Sequence, residues 1–86
     1  MSSESITIRF SAFASTAQII GERSGTILLP IGSTVDHAWR FLVDRHEQLD
    51  SLTSTIAFGV NDQLVDGETV LRAGDRLDLL PPVSGG

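Results

Sequence analysis

The sequence contains no cysteine and no lysine among its 86 residues. Without cysteine, the chain has no disulfide, no thiolate ligand for a metal and no thiol on which to carry sulfur. All six basic residues are arginine, so apart from its N-terminus the chain has no amine that could accept an activated carboxyl group. An isopeptide bond between two copies of the chain through a lysine side chain is therefore excluded.

Positive charge is also scarce, because the formal net charge is -5 at pH 7. The arginines are scattered and form no basic patch for a phosphate backbone, so we expect no nucleic-acid binding. No apolar run approaches the roughly 18 residues of a membrane span, and the first residues lack the pattern of a secretion signal. We expect a cytoplasmic protein with no membrane partner.

The size and composition predict one domain with one core, since 41% of the residues are hydrophobic and 20% are charged. His37 and His46 are nine residues apart and would lie on opposite sides of a helix, so they predict no metal site. The acidic residues around them have no nucleophile or base as a partner. We therefore expect no metal and no bound cofactor.

The first half of the chain predicts a hairpin of two strands with a short helix between them. Ser5 to Ala12 alternates apolar and polar residues with the period of a half-buried strand. Phe13 is out of phase with the apolar set, which predicts an exposed aromatic ring. Ala14 to Ile20 can form a short helix that ends at Gly21, and Thr26 to Leu29 is typical of a second strand.

The second half predicts the main helix and three further strands. Apolar residues recur at helical spacing from about Thr34 to His46, after an N-cap signal at Thr34 and with Asp36 in the first turn. A polar connection follows. The turn signal Asn61-Asp62 separates two predicted strands, and the three strands of this half are Ile56 to Val60, Gln63 to Val65 and Arg76 to Leu80. In the last strand Leu80 points away from Leu77 and Leu79.

This order of elements predicts an α+β roll in which one main helix covers one face of a sheet of about five strands. We expect residues 1–80 to form the domain, with residues 1–5 disordered, and residues 81–86 to form an extended tail. Pro81 and Pro82 stop strand pairing because neither donates a backbone hydrogen bond. Gly85 and Gly86 lack a Cβ atom and could enter a channel too narrow for side chains.

The run Leu79 to Gly86, in this order of elements, resembles the C-terminus of the MoaD/ThiS family of ubiquitin-like sulfur carriers, and most closely the MoaD-type small subunits of molybdopterin synthase. A terminal Gly-Gly pair alone would be a weak signal, and the preceding Pro-Pro-Val-Ser makes it specific. Further matching segments are Phe13-Ala14-Ser15 before Gly21, Leu29-Pro30, Val60-Asn61 and Ala73-Gly74-Asp75-Arg76. The resemblance implies a β-grasp fold and spans nearly the whole chain.

The resemblance also implies that the chain is a sulfur-carrying subunit and that it is not an enzyme on its own. An adenylating enzyme of the ubiquitin-activating type would use ATP to activate Gly86, and a sulfur donor protein would convert it to a thiocarboxylate. The large subunit of molybdopterin synthase would then use that sulfur on a cyclic pyranopterin phosphate, in a heterotetramer, during molybdenum cofactor biosynthesis. The implied channel-threading residues are Pro81, Pro82, Val83, Ser84 and Gly85, and the implied partner interface is Phe13, Leu64 and Leu80.

Two alternatives remain open on the residues alone. The chain could carry sulfur for another pathway, such as thiamine, cysteine or tungsten cofactor synthesis. It could also be a ubiquitin-like protein modifier whose C-terminus forms isopeptide bonds with lysines of other proteins.

Overall fold

The computed structural model describes residues 4–82, which form one α+β roll of five strands and two α-helices. Residues 1–3 and 83–86 lie outside the described residues. Within 4–82, no helix has the length and apolar character needed to cross a membrane. In chain order the elements are β1 Ser5–Ala12, α1 Ser15–Ile20, β2 Ser24–Pro30, α2 Val35–Arg45, a 3₁₀ helix Glu47–Leu52, β3 Ala57–Val60, β4 Gln63–Val65 and β5 Arg76–Leu80.

The five strands form one mixed sheet in the order β2-β1-β5-β3-β4. The central strands β1 and β5 are parallel, with Phe10 opposite Leu77 and Ala12 opposite Leu79. The other neighbouring pairs are antiparallel. The first and last strands of the chain therefore lie side by side in the middle of the sheet, which is the arrangement of a β-grasp fold and confirms the predicted fold class.

One face of the sheet packs against α2 and forms the core. The predicted alternation of β1 is confirmed, because its even-numbered residues 6–12 are buried while Thr7 and Arg9 are exposed. Trp39 of α2 is 4% exposed, donates a hydrogen bond from Nε1 to Thr53 Oγ1 at 2.9 Å and meets the ring of Phe58 edge-on. The core side chains with 0% exposed surface are Ile8, Val35, Ala38, Leu49, Leu77 and Leu79.

Three expectations from the sequence need correction. The strand β2 is longer than the predicted Thr26 to Leu29, because its pairing with β1 extends the ladder at both ends. The expected disorder over residues 1–5 is wrong for Ser5, which is paired with Pro30. The connection after α2 contains the 3₁₀ helix, and its Leu49 is completely buried. Its two leucines, Leu49 and Leu52, are too few to establish a helical period in a polar segment, so this element was missed.

The hairpin turn between β3 and β4 is hydrogen-bonded to the residues at the start of β5. Asn61 and Asp62 both have positive φ, 52° and 73°, as the predicted tight turn requires. The amide of Asn61 donates to Asp75 Oδ1 at 2.9 Å and accepts from the backbone N–H of Arg76 at 3.0 Å. These bonds tie the turn to the start of β5.

Helix α2 begins at a reciprocal cap, as the N-cap signal at Thr34 predicted. The Thr34 hydroxyl accepts the backbone N–H of His37 at 3.3 Å, and His37 Nδ1 accepts the backbone N–H of Thr34 at 3.0 Å. Two backbone donors that the helix cannot satisfy itself thus have partners. The carboxylate of Asp36 in the first turn complements the helix dipole.

Replacing Thr34 with Ala should lower the free energy of unfolding by about 1 kcal/mol, because the side-chain acceptor for the His37 N–H is lost. Thr34→Ser keeps that acceptor and is the matched control, with a change of only a few tenths of a kcal/mol. Urea unfolding followed by the fluorescence of Trp39 measures both variants. Equal stabilities of the Ala and Ser variants would contradict the role given to the cap.

Candidate interaction site at the tail exit

The C-terminal tail leaves the domain from the middle of one end of the sheet. The strand β5 ends at Leu80, between β1 and β3, and is followed by the half-buried Pro81 and the exposed Pro82. The remaining tail residues with predicted roles lie outside the described residues, and their roles stay predictions: they are Val83, Ser84, Gly85 and Gly86.

An apolar row crosses the uncovered face of the sheet at this end. Pairing of Ala12 with Leu79 places Phe13, the next residue after β1, beside Leu80. Pairing of β3 with β5 places the exposed Ala57 on the other side of Leu80. Phe13 is 46% exposed, as its phase predicted, and Leu80 is half-buried on the face opposite the core. Three adjacent strands thus present apolar side chains at the root of the tail.

Leu64 lies on the same face of the sheet, on the edge strand β4, one side-chain repeat along the strands from this row. It lies opposite Gly59, which itself lies opposite Asp78, and its side chain is 77% exposed. We name the set Phe13, Ala57, Leu64 and Leu80 the tail-exit patch. The structure therefore places all three predicted interface residues on one face of the sheet, and it adds Ala57.

Gly59 shapes the surface between Leu64 and the centre of the patch. A Cβ atom at this position would stand 3.4 Å from Asp78 Oδ2 and 3.5 Å from the carbonyl oxygen of Gln63. Gly59 is buried, and because it has no such atom the Asp78 side chain lies close over the backbone of β3 at this position. Gly59 and Ala57 could not be predicted from the sequence, since small residues give no hydrophobic signal of their own.

The buried hydroxyl of Thr16 holds Phe13 against the end of β5. Thr16 Oγ1 accepts the backbone N–H of Phe13 at 2.9 Å and lies 2.7 Å from the carbonyl oxygen of the same residue. It also lies 3.3 Å from the carbonyl oxygen of Leu79. Thr16 is completely buried, so these bonds form away from water and connect α1 to the strand that carries the tail. The role of Thr16 could not be predicted from the sequence, because its partner Leu79 is distant in the chain.

The charged groups beside the patch largely neutralise one another. Arg76 Nε donates to Asp78 Oδ1 at 3.0 Å, and its Nη2 contacts Asp62. Hydrogen bonding to Asp78, and then to Asp62, raises the pKa of Arg76 above its usual value. The apolar row is therefore bordered by a compact ion network.

The described residues offer no arrangement that would hold a metal. Within residues 4–82, no three His, Asp or Glu side chains cluster as metal ligands do. A shallow groove of about 430 Å³ lies between the end of β2 and α2, at the far end of β1 from the tail. Its walls include Ile31, His37 and Phe41, and we assign it no role.

Thr16→Val should lower the free energy of unfolding by about 1–3 kcal/mol, because it removes the buried hydroxyl that accepts the N–H of Phe13 while nearly preserving volume. Thr16→Ser is the matched control, since it retains the hydroxyl and loses one methyl group. Chemical denaturation of the three proteins provides the comparison. If the Val variant were as stable as wild type and the Ser variant were not, the methyl group and not the hydroxyl would hold this corner.

Comparison with known proteins gives a consistent set of relatives. The ThiS family matches residues 11–86. The human molybdopterin synthase sulfur carrier subunit is 36% identical over 77 residues, covering 86% of this chain and 88% of the relative. The crystal structure of SAMP1 from Haloferax volcanii has a TM-score of 0.83 at 30% identity, covering 93% of this chain and 99% of that one.

A third relative has been solved together with another protein. It belongs to the complex of subunits 1 and 2 of molybdopterin-converting factor from Helicobacter pylori, with a TM-score of 0.65 at 28% identity. The similarity covers 94% of this chain and 100% of the matched chain. The matches therefore extend over almost the whole domain, including the end of the sheet that bears the tail-exit patch.

Proposed function

The chain belongs to the ThiS family, and on that premise we propose that it is the sulfur-carrier small subunit of a molybdopterin synthase. The observation that carries the proposal is the tail-exit patch, an exposed apolar row at the root of a tail that ends in two glycines. The relatives named as sulfur carrier subunits of that synthase support this choice. The chain supplies the carrier, and its partner supplies the catalytic pocket.

The proposed carrier group is the carboxyl group of Gly86. A carboxylate is a poor electrophile, because its oxygen is a poor leaving group. ATP, used by an adenylating enzyme of the ubiquitin-activating type, converts it to an acyl adenylate and releases pyrophosphate. A sulfur donor protein then delivers sulfur to the carbonyl carbon, AMP leaves, and Gly86 becomes a thiocarboxylate. Splitting one difficult substitution into two easier ones is the general use of a covalent intermediate.

The tail is suited to deliver this group into a pocket on another protein. The six residues from Pro81 to Gly86 reach on the order of 20 Å when fully extended. The two prolines restrict the first part of the tail, and the absence of a Cβ atom on Gly85 and Gly86 suits a narrow channel. In the large subunit, we propose, the thiocarboxylate gives its sulfur to a cyclic pyranopterin phosphate.

The tail-exit patch is the proposed docking surface for the large subunit. Fixing the backbone of a chain segment on binding costs conformational entropy, about 1–2 kcal/mol for each residue fixed. Burial of Phe13, Leu64 and Leu80 against a partner offsets that cost, since these side chains are exposed or half-buried in the free domain. The solved complex of the two subunits from Helicobacter pylori supports a partner of this kind. A heterotetramer is the proposed assembly.

Incubation with the cognate adenylating enzyme, ATP and a sulfur source should raise the intact mass of the chain by the difference between a sulfur and an oxygen atom. Mass spectrometry of the whole protein measures the shift, and tandem fragmentation should locate it at Gly86. A variant that lacks Gly86 is the control, because it should unfold like wild type in urea and show no shift. An unchanged mass with a competent enzyme would refute the carrier role.

Leu64→Asp should raise the Kd for the large subunit by about tenfold, because it replaces an exposed apolar side chain of the proposed interface with a charge. Leu28→Asp is the matched control. Leu28 is 60% exposed on the same face, but it pairs with Thr7, five residues before Ala12 along β1. Isothermal titration calorimetry measures both. Equal effects of the two variants would show that this end of the face is not the docking surface.

A protein modifier is the second candidate, and one relative supports it. The small archaeal modifier protein 1 from Haloferax volcanii is 36% identical over 86 residues. A modifier would form isopeptide bonds to lysines of other proteins, never to a second copy of this chain. Higher-mass adducts of the tagged chain in cell extract, absent without Gly86, would favour this candidate. Sulfur transfer for thiamine, cysteine or tungsten cofactor synthesis is distinguished by the purified acceptor that takes up the sulfur.

A further inference from the structure

A second feature adjoins the tail-exit patch, on the side of α1 and β2. A hollow of about 360 Å³ opens beside Phe13, and most of its other lining residues are small. Arg23 stands at its rim and is the one charged residue among those that line it. The full lining is Ser11, Ala12, Phe13, Ala14, Ala17 and Arg23. The hollow is therefore lined by small side chains, one aromatic side chain and one arginine.

The backbone of Arg23 is held in place although its side chain is exposed. Its carbonyl oxygen accepts the N–H of Ala12 at 2.8 Å, which ties the residue to the last position of β1. Gly21, with φ of 86°, reverses the chain after α1 and brings Arg23 back beside that helix. The Arg23 side chain therefore starts from a fixed backbone position beside Ala12, the residue that precedes Phe13.

The guanidinium of Arg23 has no carboxylate partner within residues 4–82. Both salt bridges in this part of the chain belong to Arg76, which pairs with Asp62 and Asp78. The neighbouring Glu22 directs its carboxylate toward Gly25, where a Cβ atom would stand 3.3 Å from Glu22 Oε2. Arg76 is thus neutralised inside the domain, whereas Arg23 keeps its charge available beside the patch.

We infer that the hollow beside Phe13 receives an acidic side chain of the large subunit, for which Arg23 is the counter-ion. The inference rests on the proposed function, because the hollow is continuous with the proposed docking surface through Phe13. A planar guanidinium binds a carboxylate through two parallel hydrogen bonds. The small floor residues leave room for an aspartate or glutamate side chain to approach the guanidinium beside the aromatic ring.

This contact would determine how the partner is oriented, beyond what the apolar row can do. Apolar contacts are not directional, so Phe13, Leu64 and Leu80 alone permit the partner to rotate on the face. A charge pair at one end of the row fixes one orientation and disfavours partners that carry a basic residue there. The tail is then aligned with the entrance of the partner's channel.

The test compares two charge reversals in the full chain. Arg23→Glu should raise the Kd for the purified large subunit by about tenfold or more, because an attraction is replaced by a repulsion. Arg72→Glu is the matched control, since Arg72 is exposed near the opposite end of the sheet and its reversal changes net charge equally. It should leave Kd within about twofold of wild type. Arg23→Gln should give an intermediate loss.

The dependence of Kd on salt and a reciprocal substitution complete the test. The Kd of wild type should rise more with ionic strength than that of Arg23→Gln, because one attractive pair is screened. Replacing one acidic residue of the large subunit with Arg should restore binding of Arg23→Glu and weaken binding of wild type. Thermal unfolding of all variants confirms that each is folded.

Equal Kd values for Arg23→Glu and Arg72→Glu would overturn the inference and leave the proposed function standing, provided that wild type binds. Failure of wild type itself to bind the large subunit would overturn the proposed function and the inference together. Restoration of Arg23→Glu by an acidic-to-Arg change in the large subunit would support both.

Discussion

The parallel pairing of β1 with β5 is the constraint on which the rest of the structure depends. It places the first and last strands of the domain side by side, so that both run toward the same end of the sheet. Because side chains alternate along a strand, one register sets both faces. Leu77 and Leu79 enter the core, and Leu80 is left beside Phe13 on the open face. A slip of one residue would expose the two buried leucines and bury the charges of Arg76 and Asp78.

The same pairing also determines which side chains surround the root of the tail. The open face carries apolar side chains at the tail's root and an ion network next to them. Thr16 holds this end of the sheet together, because its buried hydroxyl hydrogen-bonds to the backbone of Phe13 and to the carbonyl oxygen of Leu79. For the proposed carrier role, a rigid face at the root of the tail would let a partner orient the domain before the tail enters its pocket.

Most of the fold could be predicted, because its signals are local. Alternation identified β1 and β5, the N-cap at Thr34 identified the start of α2, and the Asn-Asp turn identified the β3–β4 hairpin. The 3₁₀ helix around Leu49 could not be found, since two leucines in a short polar segment are too few to establish a helical period. Thr16, Gly59 and Arg23 were missed for a different reason: each matters through a neighbour that is remote in sequence or in another strand.

By itself, the sequence determined the chemistry that this chain is able to carry. A chain with no cysteine has no thiol for sulfur, a chain with no lysine has no side-chain amine, and two glycines make a slender end. These are properties of composition and do not depend on folding. Only the tertiary structure decided what surrounds the root of the tail. The apolar row and the hollow beside Arg23 are built from strands and a helix that the chain brings together from distant positions. The pairing of β5 with β1 and with β3, which are far from it in the sequence, aligns them.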